Sequence, residues 1–170
     1  MQSELHAAMT KGRTKAQVER MCQFIPVAHS DGFRMFEDRP KKPGWIAEAP
    51  DEFVTFELPL PRLNASEHST GTTQQQRYEL YLVFLKSYEK VGTFDVRVEG
   101  RSKTLDALWE RKRSTYEEAA VGYCNGPCNV TVATRPPVPG REGNKVKLVS
   151  LRAVLAAGGG AGSSSRRRVR

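Results

Sequence analysis

The sequence predicts an all-β domain, an antiparallel β-sandwich or jelly roll with a short N-terminal helix before it and a disordered C-terminal tail after it. Three observations carry this expectation. Apolar residues alternate with polar ones in short runs, as at Val54, Phe56 and Leu58 and again at Phe94, Val96 and Val98. Proline, glycine and asparagine close nearly every run, at the spacing of strand-connecting turns. The last thirteen residues are glycine, alanine, serine, arginine and one valine, with nothing to bury. A chain of 170 residues is enough for one core with tails, and an apolar fraction of 38% says that part of it is not packed. The expected division is a polar, partly helical segment at 1–30, a β-sandwich module at 31–157 and a Gly/Ser linker with an arginine-rich tail at 158–170.

Thr14 to Cys22 is the candidate helix, with few apolar residues to bury. Phe33-Arg34-Met35-Phe36 reads as a strand, ended by the prolines and glycine of residues 40–44. Trp45-Ile46-Ala47 begins a second, and Val54, Phe56 and Leu58 mark a third, stopped by Pro59 and Pro61. Residues 62–76, rich in Ser, Thr, Gln and His, have no apolar period and read as an exposed loop. The run from Tyr78 to Leu85 is the most hydrophobic in the chain, and its aromatic and β-branched content marks a central strand. Beyond Gly92, residues 94–99 alternate cleanly and read as its hairpin partner. Leu105 to Trp109 is a short strand or a turn of helix, followed by a solvated Arg111-Lys112-Arg113. Residues 129–134 form another strand, and a last one carries Val146 and Leu148 on one face or Lys147, Val149 and Leu151 on the other.

The net charge of +8 points toward nucleic acid or an acidic membrane only until it is mapped. Residues 1–21 carry four basic and two acidic side chains, and Arg166, Arg167, Arg168 and Arg170 add four more, so the tails hold six of the eight charges. A solubilising tail is the simpler reading of those arginines; weak, non-specific, salt-dependent contact with phosphates is the alternative. No run of about 18–20 apolar residues is present to span a bilayer, and the first residues lack the apolar stretch of a signal peptide. The sequons at Asn64 and Asn129 are tripeptides that chance supplies often.

Searching for chemistry gives exclusions. No Gly-x-Ser-x-Gly elbow, no Gly-Asp-Ser and no Asp-x-x-His accompanies the three histidines, so no catalytic residue is assigned. No phosphate-cradling glycine motif occurs, and no cofactor is expected. Cys124 and Cys128 have a spacing that zinc pairs use, yet no second pair follows, so no metal site is assigned. A Cys124–Cys128 disulfide, a bridge from one of them to Cys22, and three free thiols all stay open.

Lys42-Pro43-Gly44-Trp45-Ile46-Ala47, then Leu82-Val83-Phe84-Leu85-Lys86-Ser87-Tyr88-Glu89-Lys90-Val91-Gly92, then Lys145-Val146-Lys147-Leu148, give an order that resembles a known family. It is similar to the C-terminal β-rich domain that follows an SGNH (GDSL-like) hydrolase-type domain in proteins of algae, plants and other eukaryotic microbes. The similarity spans residues 32–151, with Ser-Tyr-Glu-x-x-Gly its most specific part. Two departures stand out: a cysteine pair common in those domains is replaced by Gly100-Arg101-Ser102-Lys103, and the hydrolase domain is absent. The resemblance implies a non-catalytic accessory module, a secretory or extracellular setting, and a glycan or the hydrolase domain as partner. The alternative is a fragment of an acyl esterase, active only at full length. Trp45, Tyr88 and Glu89 are the candidate ligand-binding residues, because aromatic rings stack on sugars and carboxylates accept hydroxyl hydrogen bonds; a fold role for all three is the simpler reading.

Overall fold

A computed structural model describes residues 27–40, 42–63 and 77–156. The candidate helix, most of the 62–76 loop and the arginine tail lie outside these residues. The described chain is ten strands: β1 (Val27–Asp31), β2 (Arg34–Glu37), β3 (Pro43–Ala47), β4 (Phe53–Leu58), β5 (Arg77–Lys86), β6 (Thr93–Val98), β7 (Arg101–Asp106), β8 (Thr115–Cys124), β9 (Cys128–Thr134) and β10 (Val146–Ala156).

They form two five-stranded antiparallel sheets, β1-β4-β9-β6-β7 and β2-β3-β10-β5-β8. Strand β3 pairs with β10, β4 with β9, β5 with β8 and β6 with β7, so strands β3 to β10 pair as one long hairpin whose successive rungs alternate between the sheets. Rolling that hairpin brings β5 against β10 and β6 against β9, which is jelly-roll connectivity. Strands β1 and β2 extend one edge of each sheet.

The alternation read from the sequence is the inward face of these strands. Val54, Val132 and Val96 are aligned across three neighbouring strands, and Phe56, Val130 and Val98 lie in the adjoining row, all buried. From the other sheet Leu80, Leu82 and Phe84 meet them, with Phe84 and Phe94 edge-to-face at 5.2 Å between centroids. Each such buried side chain contributes about 1.5–3 kcal/mol relative to exposure.

Three expectations are corrected. Residues 93–98 are not the hairpin partner of β5: the turn after Ser87 carries the chain into the opposite sheet, where β6 pairs with β7 and β9. Strand β8 was not expected at all, because an edge strand exposed on one side keeps polar residues such as Thr115, Glu117 and Glu118 and shows no apolar alternation. In β10 both proposed faces are partly right. A bulge between Leu148 and Ser150 shifts the period, so Val146, Leu148 and Leu151 all join the core while Lys147 and Arg152 take the outer face.

Candidate functional site

The turn between β5 and β6 is built on Ser87. Its backbone N–H donates to Ala107 O at 3.0 Å, its carbonyl accepts from Trp109 N at 2.8 Å, and its hydroxyl meets Ser114 Oγ at 3.0 Å. Beyond it Lys90 adopts a left-handed backbone (φ 57°), and Lys90 O accepts from Lys145 N at 3.0 Å. The chain there passes so close to residues 143–145 that a Cβ on Gly92 would fall 2.2 Å from Asn144 Oδ1. This double anchorage leaves Tyr88 and Glu89 no share in the core. Tyr88 is 41% exposed, and a hydrogen bond to the Glu89 carboxylate raises its hydroxyl above the ordinary value.

Asp38 and Lys42 lie against the same end of the outer face. Asp38 Oδ2 accepts from Lys145 Nζ at 2.5 Å, Asp38 Oδ1 accepts from Lys147 Nζ, and Lys147 Nζ also donates to Lys42 O. Burial by itself would push the Asp38 carboxyl up; the hydrogen bonds from Lys145 and Lys147, with their charges, more than offset it and hold it below 3.8. The clamp positions Arg39, whose charge acts on the hydroxyls of both Tyr88 and Tyr116. Tyr116, at the start of β8, keeps 37% of its surface exposed, while burial and the charge of Asp38 push its pKa above the ordinary value.

Tyr116 is paired with Leu85 near the end of β5, which puts it at the same end of that sheet as Tyr88 and Glu89 in the turn beyond; with Arg39, from a third segment, they make the candidate patch. Two rings offer apolar faces with polar tips, the guanidinium offers donors and Glu89 offers acceptors. Arg39 and Tyr116 escaped sequence reading, the first as part of a charged turn and the second as part of an edge strand without a pattern. Trp45 is elsewhere in the architecture: it faces inward, packs on the core and meets Phe56 edge-to-face with centroids 6.0 Å apart, the surroundings of a fold residue. Cys124 and Cys128 are bridged across the β8–β9 turn, their Cα atoms 6.4 Å apart.

Among the described residues no group of three His, Cys, Asp or Glu side chains is placed to hold a metal ion. His29, the one histidine among them, stacks on Phe53 at 5.2 Å on β1. No helix among them is long and apolar enough to cross a membrane.

No protein-family model and no curated protein matches the chain. Solved structures do. The chain is similar to part of a Paenibacillus xanthan lyase, with a TM-score of 0.56 and 18% identity over 80% of this chain. It is similar also to part of a two-domain esterase (CEX) active on acetylated mannans, with a TM-score of 0.54 and 15% identity over 76% of this chain. The same esterase co-crystallised with mannopentaose gives 0.53 and 14% over 78%. This chain spans only 13% of the lyase and 34% of the esterase, and at such identities the likeness is one of fold.

Proposed function

We propose that this chain is a non-catalytic accessory module that binds carbohydrate through the Tyr88–Tyr116 patch on behalf of a hydrolase-type domain. The observation that carries the reading is the pair of exposed tyrosines at one end of the β5–β8 pairing, Tyr116 opposite Leu85 and Tyr88 in the turn beyond it with Glu89 as its neighbour. Rings stack on the C–H faces of a sugar while Arg39 and Glu89 meet its hydroxyls, and none of these groups has to leave the core to do so. The reading is supported in outline by the jelly roll shared with portions of a xanthan lyase and of a mannan esterase. The partner is an SGNH hydrolase-like domain, on the strength of the Lys-Pro-Gly-Trp and Ser-Tyr-Glu-x-x-Gly segments. Affinity electrophoresis in gels containing acetylated mannan, xylan or other cell-wall glycans tests it: at least one glycan is expected to retard the chain, and Tyr88→Ala with Tyr116→Ala to abolish the retardation. Retardation by none, or undiminished retardation of the double variant, would sink the proposal.

A further inference from the structure

A second feature lies at the other end of β8. Tyr123 is seven residues beyond Tyr116 on that strand, about 23 Å away at the rise of an extended chain. Around it Arg62, Glu99, Arg101, Asn125 and Gly126 line a cleft of about 310 Å³, at the small end of ligand-pocket volumes and of a size for one sugar ring. The turn between β8 and β9 forms one wall. Leu63 N donates to Asn125 O at 3.1 Å, and a Cβ on Gly126 would stand 3.2 Å from Arg62 Cγ, so the glycine lets Arg62 settle against the turn.

The guanidinium carbons of Arg77 and Arg101 lie 4.6 and 4.4 Å from the Tyr123 ring centroid. A guanidinium stacked on a ring uses its face, and its N–H donors radiate in the plane, free for an acceptor. Arg77 has an acid partner in Glu79 at 3.7 Å. Among the described residues Arg62 and Arg101 have none, although Glu99 stands on the same cleft wall. Two guanidinium forks on one small cleft, without an acid partner among the described residues, offer the paired donors that a carboxylate or a sulfate ester accepts. Glu99 adds an acceptor that an inorganic anion does not use and a sugar hydroxyl does.

We propose that the cleft binds an anionic sugar residue, its carboxylate or sulfate held by Arg62 and Arg101 and its hydroxyls by Glu99. This site extends the carbohydrate reading but stands on none of the residues of the tyrosine patch. Titration calorimetry of the whole chain with trigalacturonate, a sulfated galacto-oligosaccharide, xylotriose and inorganic sulfate tests it. At least one acidic oligosaccharide is expected to bind ten times or more tighter than xylotriose, and which one binds names the anionic group. Arg62→Gln with Arg101→Gln, both on the surface, should weaken that binding at least tenfold without changing the melting temperature, and Tyr88→Ala with Tyr116→Ala should leave it alone. The proposal is overturned if neither acidic oligosaccharide binds, if inorganic sulfate binds as tightly, or if the arginine double variant binds like the parent. Loss in the tyrosine variant with retention in the arginine variant overturns the cleft and leaves the tyrosine patch standing.

Discussion

Replacing Asp38 by alanine probes what holds Asp38 and Lys42 to the sheet. The Lys147 side chain is only 2% exposed, and its ammonium is satisfied by the Asp38 carboxylate and the Lys42 carbonyl. Without the carboxylate a buried charge retains one neutral acceptor, in surroundings where its register neighbour Ile46 is fully buried. Removing one partner of such a pair costs about 3–5 kcal/mol. Lys145, with 26% of its side chain exposed, reaches water and adds little. At about 4 °C per kcal/mol for a domain of this size, the melting temperature should fall by about 12–20 °C, measured by calorimetry or circular dichroism. Asp38→Asn keeps an acceptor oxygen and should cost roughly 1.5–3 kcal/mol. Asp38→Ala combined with Lys147→Met removes the stranded charge along with its partner and should recover most of the loss. A cost below about 1 kcal/mol for Asp38→Ala, or a double variant no more stable than the single, would refute the view that desolvation of Lys147 governs this contact.

Three further outcomes follow from the same structure. Asp38 and Asp95 both sit below their ordinary value, Asp95 because the Thr104 hydroxyl and Arg135 outweigh the upward push of burial. Because their folded values lie below their unfolded ones, the stability they contribute is present above about pH 4 and is lost as pH falls through the folded values. Thermal melts between pH 5 and 2 should show this steepening, and Asp38→Asn with Asp95→Asn should flatten it. Gly92→Ala drives a methyl into Asn144 and should cost about 1–3 kcal/mol in urea titration, whereas Gly100→Ala meets open space and is limited to its backbone strain. Reducing the Cys124–Cys128 bridge releases a five-residue loop worth about 2 kcal/mol of chain entropy, so reductant should lower the melting temperature by about 5–10 °C.

The strands legible in the sequence are the central ones: β4, β6 and β9 announce themselves through the period of two that burial of one face imposes, and β5 through its aromatic and β-branched run. Those it missed or blurred are at the margins. Strands β7 and β8 are edges, where solvent on one side removes the demand for apolar residues. The bulge in β10 defeats any fixed period, because the inserted residue leaves no chemical mark of its own. The candidate patch was half legible. The Ser87-Tyr88-Glu89 turn drew notice through its resemblance to a family, and its chemistry is that of exposed groups.

By itself the sequence determined that this is one β domain whose core is the alternating face of its central strands, since burying one side of a strand requires apolar residues at every second position. Which strands pair, and that consecutive β5 and β6 belong to different sheets, was decided by the rolling of one long hairpin. Tertiary structure also set where the candidate residues stand. It packed the partly buried Trp45 against the core and left Tyr88 outside, and the β5–β8 pairing set Tyr116 opposite Leu85, at the end of the strand that leads to Tyr88. The physical reason is common to all of these: periodicity records how a segment faces its own sheet, whereas a site depends on which segments meet, and only long-range pairing and desolvation settle that.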